Sequence, residues 1–255
     1  MIVALIVNRV ARNIEENIRK IEKLVTEAAL QGAGFIILPE TTFTGLINAD
    51  SPQSDLLLGD SVPGRYTEII SRLSIKYKIY SVFGLFERES SNLYDTAILI
   101  SPKGRILIKY RRIDQRWRAN ESDNLFYKEG NKVLSANTPF GKVALMICGD
   151  LFNQKCINQC IKLCPDYVIV PMARCFDDGS CDQQRWDNDE LPLYIEQVKK
   201  NKTTVFITNY LANQELNGGS FGGAFVISGD GKVLKSFPLG MEGILYYNSD
   251  KSVEQ

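Results

Sequence analysis

Apolar and polar residues alternate along this chain with two distinct periods. Residues 2–7 form a short continuous apolar run, the mark of a buried strand. Ile14, Ile18, Ile21, Leu24, Val25 and Ala28 then recur at helical spacing with charges between them, which predicts an amphipathic helix over 13–31. Gly32 and Gly34 end it, and residues 35–39 are the next apolar run. A β-α-β opening of this kind predicts a mixed sheet with helices packed on it.

The same reading extends to the end of the chain. A helix is expected over 66–77, after the turn residues Pro63 and Gly64, and a strand over 80–87. Strands at 92–101 and 105–109 flank Pro102-Lys103-Gly104, a hairpin signal. Residues 111–132 are charged and aperiodic, so they predict a long loop, and such a loop inside a compact domain is usually functional. Strands at 142–147 and 166–171 enclose a helix over 154–163. A second irregular stretch, 174–187, precedes a helix near 191–202 and strands at 204–210, 223–228 and 232–237. No repeat, low-complexity segment or linker divides the sequence, and residues 1–255 are expected to form one α/β domain.

Composition narrows the function. Lys+Arg and Asp+Glu both number 30, which gives no global attraction for nucleic acid or anionic lipid. The apolar start is too short to span a membrane and lacks the flanks of a secretory signal. The expected setting is the cytoplasm, where the six cysteines are mostly reduced thiols. There is no histidine, which excludes Ser–His–Asp and Cys–His catalysis and imidazole-dependent zinc sites. Cys156, Cys160 and Cys164 fall on one helix face, but their spacing fits no usual ligand pattern; a packed apolar face is expected there, and no metal.

Three strand ends carry reactive side chains: Glu40 after Ile37-Leu38-Pro39, Cys148 after Leu145-Met146-Ile147, and Lys109, Arg111 and Arg112 after the hairpin. Ligands in open α/β sheets collect beyond the carboxyl ends of strands, so these groups are expected to meet in one pocket. A thiol at a helix start is favoured as thiolate by the helix amides, a carboxylate can serve as general base, and a cation can hold an oxyanion. That combination performs acyl transfer or amide hydrolysis without histidine. Arg174 follows another strand end and is a candidate for binding a substrate carboxylate, the group Arg pairs with best.

Phe35-Ile36-Ile37-Leu38-Pro39-Glu40 with Thr44-Gly45, Tyr94-Asp95-Thr96-Ala97-Ile98-Leu99-Ile100 with Lys109-Tyr110-Arg111-Arg112, and Thr138-Pro139-Phe140-Gly141 through Cys148-Gly149-Asp150 resemble, in order, the glutamate, lysine and cysteine motifs of the nitrilase superfamily, the carbon–nitrogen hydrolases. Phe221-Gly222-Gly223 and Ser228-Gly229-Asp230-Gly231 resemble that family's late strand pair. The resemblance implies an α-β-β-α sandwich, a homodimer or higher homo-oligomer, and cleavage of a non-peptide C–N bond through a cysteine thioester without cofactor or metal. It makes Cys148 the nucleophile and Glu40 the proton carrier, with Asp123 or Glu121 at the place of a further glutamate. Arg112 stands where the family has its catalytic lysine; an arginine can hold an oxyanion but is a poor proton donor. Lys109, three residues earlier, is the alternate cation and lies on the opposite strand face if the strand continues. Gly149 stands where the family often has an aromatic or acidic side chain. The expected function is amidase-like hydrolysis of a small-molecule substrate, with no nucleic-acid or membrane partner. Two other readings follow from Arg112 and the thioester: a nitrilase-fold binding or regulatory protein that has lost turnover, and transfer of the acyl group to an amine.

Overall fold

The computed structural model describes residues 1–45, 51–118, 124–216 and 219–249. It is an α/β sandwich of two six-stranded sheets with helices outside. The strands of these two sheets are β1 (Ile2–Val7), β2 (Ala33–Ile37), β3 (Tyr80–Glu89), β4 (Asn92–Ile100), β5 (Ile106–Arg111), β6 (Leu134–Thr138), β7 (Gly141–Leu145), β8 (Tyr167–Met172), β9 (Thr204–Asn209), β10 (Gly222–Ile227), β11 (Val233–Leu239) and β12 (Gly243–Asn248), and Arg9–Val10 pairs separately with Leu211–Ala212. The helices are α1 (Ile14–Leu30), α2 (Pro52–Leu58), α3 (Arg65–Tyr77), α4 (Gln154–Leu163) and α5 (Leu191–Asn201).

The first sheet runs β12-β1-β2-β3-β4-β5 and the second β6-β7-β8-β9-β10-β11. Each has three parallel strands, flanked by one antiparallel strand on one side and two on the other. The strand plan therefore repeats, although the sequence shows no repeat. Alternation along β1 explains the layering: Val3, Leu5 and Val7 pack toward the second sheet, while Ala4 and Ile6 pack under α1 and α3. Phe35 meets Phe140 between the sheets, and Thr208 Oγ1 donates to the carbonyl of Ile6 at 2.9 Å. Helix α1 is held at its start by Asn13, whose side chain accepts from the Glu16 amide, and buries Ile18, Ile21, Leu24, Val25 and Ala28.

The aperiodic stretch after β5 contains no regular helix or strand among its described residues. The one at 174–187 is shorter than expected, because helical turns begin at Gln183, where the Asp182 side chain accepts from the Arg185 amide, and lead through Trp186–Glu190 into α5. Three elements carry no sequence expectation: α2, β6 and β12. No helix among the described residues is long and apolar enough to cross a membrane.

Candidate functional site

Cys148, Glu40 and Arg112 follow β7, β2 and β5, and the sandwich brings them to one end. Among the described residues, the six non-glycine residues with positive φ include Lys78, Cys164 and Lys202 at helix ends and Ser90 in the turn between β3 and β4. The other two are Thr41, beside Glu40, and Cys148 itself, both at φ 43°. Such backbone persists only where its surroundings over-determine it, and that strain collects at functional sites.

The surroundings are visible in both cases. The Glu40 turn crosses directly over Gly84 of β3: Gly84 N donates to Pro39 O at 2.9 Å, and Thr42 N to Gly84 O at 3.0 Å. A Cβ on Gly84 would lie 2.6 Å from Glu40 Cα, so only glycine permits the crossing. The Cys148 turn is organised by buried Asp150. Its Oδ2 accepts from Ile147 N at 3.1 Å and Tyr110 Oη at 2.6 Å; its Oδ1 accepts from Ile113 N and Asp114 N at 3.1 and 2.7 Å. One carboxylate thus ties the residues after Arg112 to the turn after Cys148. Burial pushes the Asp150 carboxyl up, against the pull of Arg112 and these donors.

The segment following Cys148 is a 3-10 turn, Cys148–Phe152, and the regular helix starts only at Gln154. The expected helix start at the thiol is therefore absent; positive charge at the cavity comes from the side chains of Arg112, Arg116 and Arg174. Cys148 Sγ is half-buried and lies 3.9 Å from Ala173 O.

Arg112 is 3 % exposed and enters the site from the end of β5. Its backbone is fixed by Arg112 N donating to Asp95 O and Gly130 N donating to Arg112 O, both at 2.8 Å. Nη1 donates to Glu40 Oε1 at 2.9 Å and to Asp95 Oδ2 at 3.3 Å, and Nη2 lies 3.8 Å from Asp114 Oδ1. Burial works against the guanidinium charge, but Cys148, Glu40 and Asp95 outweigh it and hold Arg112 more firmly protonated than usual. Burial, then the neighbouring Asp95 and Cys148, push the Glu40 carboxyl well above the usual carboxylate range against the pull of Arg112. Burial likewise raises Asp95, opposed by Glu40 and Arg112.

Lys109 does not join them. It lies on the other face of β5, with Nζ 2.8 Å from Glu87 Oε1 and 3.7 Å from Glu89 Oε1, beside Arg111, which binds the same two carboxylates. The cation facing the site is Arg112. Glu121 and Asp123 lie outside the described residues. Arg174 does line the cavity, but its guanidinium is engaged with Glu190, Nη2 to Oε1 at 2.8 Å and Nε to Oε2 at 3.3 Å. The cavity holds about 350 Å³ and is lined by Arg112, Cys148, Phe152, Arg174, Glu190 and Tyr194 among others. Among the described residues no cluster of His, Cys, Asp and Glu is arranged to hold a metal ion. Cys156 and Cys160 are buried as expected, whereas Cys164 is exposed at the end of α4.

Asp95, Gly84 and Asp150 have parts in the site that the sequence reading did not assign. The available signals were a charged residue inside an otherwise apolar strand, a glycine inside another, and the acid two residues after the thiol.

A carbon–nitrogen hydrolase family model matches residues 2–163. Among characterised proteins, the chain is 31% identical over 140 residues to a nitrilase of Pyrococcus abyssi, a match covering 54% of this chain and 51% of that one. It is 33% identical over 166 residues to a formamidase of Helicobacter acinonychis, covering 62% and 48%, and 30% identical over 144 residues to an omega-amidase of Xenopus laevis, covering 53% and 50%. The matches span about half the length of these relatives. Among solved structures, a carbon–nitrogen hydrolase from Helicobacter pylori has a TM-score of 0.82 at 18% identity, covering 96% of this chain and 88% of that one. An amidase from Nesterenkonia sp. AN1, with acrylamide added at its active-site cysteine, has a TM-score of 0.79 at 17% identity, covering 97% and 92%. These structural likenesses are likenesses of fold.

Proposed function

The chain belongs to the carbon–nitrogen hydrolase family, and on that premise we propose that it hydrolyses the amide C–N bond of a small molecule through a thioester on Cys148. The observation that carries this reading is the meeting of a strained cysteine turn and a buried guanidinium at one cavity, with the buried Glu40 carboxyl bonded to that guanidinium.

Cys148 gives its proton to Glu40 while its sulfur electrons form the C–S bond, and the carbonyl electrons move onto oxygen beside Arg112. The oxyanion collapses, the C–N bond breaks with its electrons on nitrogen, and the amine leaves with a proton from the carboxyl. Water then attacks the thioester, giving its proton to the carboxylate; the C–S bond breaks, the sulfur regains a proton and the acid departs. The cavity suits a small substrate with an apolar flank on Phe152 and Tyr194 and a polar end at Arg174 and Glu190. We further place the protein in the cytoplasm, as one domain over residues 1–255 and as a homodimer or higher homo-oligomer; the family resemblance supports the oligomer, and light scattering on the purified chain reads it.

Arg112 favours a second reading. Its Nη1 already serves two carboxyls, and a guanidinium does not release a proton, which is the arrangement of a binding protein that has lost turnover. Intact-mass measurement separates the two. Incubation with a panel of small amides is expected to add an acyl group to the wild-type chain and none to Cys148→Ser, with free amine released. No adduct and no amine with any member would leave the binding protein as the better account, and amine exchange without net hydrolysis would point to acyl transfer.

A further inference from the structure

Two carboxyls compete for one buried cation. Glu40 Oε1 and Asp95 Oδ2 accept from the same nitrogen of Arg112, and none of the three side chains is more than 3 % exposed. The second oxygen of each carboxyl, Glu40 Oε2 and Asp95 Oδ1, has no donor. Both carboxyls bind the one nitrogen, at 2.9 and 3.3 Å, which brings them side by side. Two ionised carboxylates offer only acceptors, so a bond between them needs a proton. One proton supplies a missing donor and also brings the buried cluster to neutrality: one carboxylate, one carboxylic acid and one guanidinium. Leaving both carboxylates charged around a single cation would bury an uncompensated charge, which is costly.

We propose that Asp95 shares one proton with Glu40, so that the pair, rather than Glu40 alone, carries the acid–base chemistry of the site. The proposal rests on the amide-hydrolase reading. In that reading the departing amine takes its proton from Glu40; here it takes it from the pair. At rest the pair holds one proton. Attack by Cys148 gives it a second, with the new negative charge on the substrate oxygen beside Arg112. Breakage of the C–N bond returns one proton to the amine and leaves the pair as it began. Water then adds one proton to the pair as its oxygen bonds to the acyl carbon, and the departing sulfur takes one back. Asp95 touches no substrate in this scheme; it acts through Glu40. The other groups facing the pair are Cys148 from the turn after β7, Arg112 from the end of β5 and Tyr194 from α5, with Asp114 and Asp150 beyond the guanidinium. Glu87, on β3, lies on the other face of the sheet, bound to Thr96, Lys109 and Arg111.

Infrared difference spectroscopy on the whole chain at neutral pH tests the shared proton without needing turnover. The wild type is expected to show a carboxylic-acid C=O band that both Asp95→Asn and Glu40→Gln lose, since either change leaves one carboxylate matched to Arg112. A band absent from the wild type, or surviving in either folded variant, overturns the proposal. A second arm compares an amide with an activated ester of the same acid, whose leaving group needs no proton. Asp95→Asn is expected to lower kcat on the amide by at least about tenfold more than on the ester. Equal losses on the two substrates indicate a structural role and overturn the proposal. If the band behaves as expected but no amide is ever cleaved, the hydrolase reading fails and the shared proton stands.

Discussion

At the scale of single residues, Arg112 and Gly149 are fitted to each other. A Cβ on Gly149 would lie 2.6 Å from Arg112 Nη2 and 2.9 Å from Asp114 Oδ1. The guanidinium therefore occupies space that a side chain next to the nucleophile would need. Gly149→Ala must push Arg112 off its two carboxyls, and a misplacement of that order costs about a hundredfold in rate. Arg112→Lys alone trades a forked cation for a narrower one. The two changes are coupled because the slimmer ammonium leaves room for the methyl, so the double variant should retain more kcat/KM than the product of the single losses allows. Strict additivity in that cycle would show that the two positions are independent. Cys148 and Glu40 were legible in the sequence because each ends an apolar run with a reactive group. Asp95 lies inside its motif without a legible role, since one acid in Tyr94-Asp95-Thr96-Ala97 does not reveal that its partner is Arg112, across a strand pair. Gly84 is silent for the same reason: what it accommodates, the backbone of Glu40, comes from a different strand.

At the scale of elements, the end of β8 and the helical turns before α5 are joined across the cavity by Arg174 and Glu190. The pair is partly exposed, and a bidentate arginine–carboxylate contact uses the very face that would otherwise take a substrate carboxylate. Two variants resolve its role. Glu190→Gln frees the guanidinium and should lower KM for amides that carry a carboxylate by about tenfold or less, leaving neutral amides nearly unchanged. Arg174→Ala should raise KM for the anionic amides. If neither variant distinguishes anionic from neutral substrates, Arg174 only braces the two elements. Element positions themselves followed from apolar periodicity wherever a strand is buried on both faces. The period fails at β6, Leu134–Thr138, whose residues are exposed or half-buried, and at β12, which alternates against β1 at the sheet edge. It fails at α2 because seven residues with one buried side chain give too little pattern to read. The early start of the helical turns at Gln183 depends on one capping aspartate in a run of polar residues, where many such caps could be drawn.

At the scale of the whole molecule, the repeated strand plan places the ends of both parallel cores at one rim, and there the fold concentrates buried charge. Glu40 and Asp95 keep their protons to higher pH folded than unfolded. Between the unfolded value, roughly pH 4.3 for Glu, and the raised folded one, the folded state binds more protons, so stability falls as pH rises through that window. Glu87 is opposite: donors from Arg111, Lys109 and Thr96 outweigh its burial and lower its carboxyl, so its contribution is present above the unfolded value and lost on acidification. Acid unfolding should therefore report on the Glu87 network, and the decline toward neutral pH on the site. Glu40→Gln removes one titrating carboxyl while Asp95 still answers Arg112. Each unit by which a folded carboxyl is raised corresponds to about 1.4 kcal/mol, and 1 kcal/mol moves Tm by about 2–4 °C in a domain of this size. The variant should match the wild type near the acid end of the window and exceed it in Tm at neutral pH, the gap widening with pH. A gap that is constant with pH, or that closes as pH rises, would mean that Glu40 ionises in the folded state as readily as in water and that the site stores no such cost.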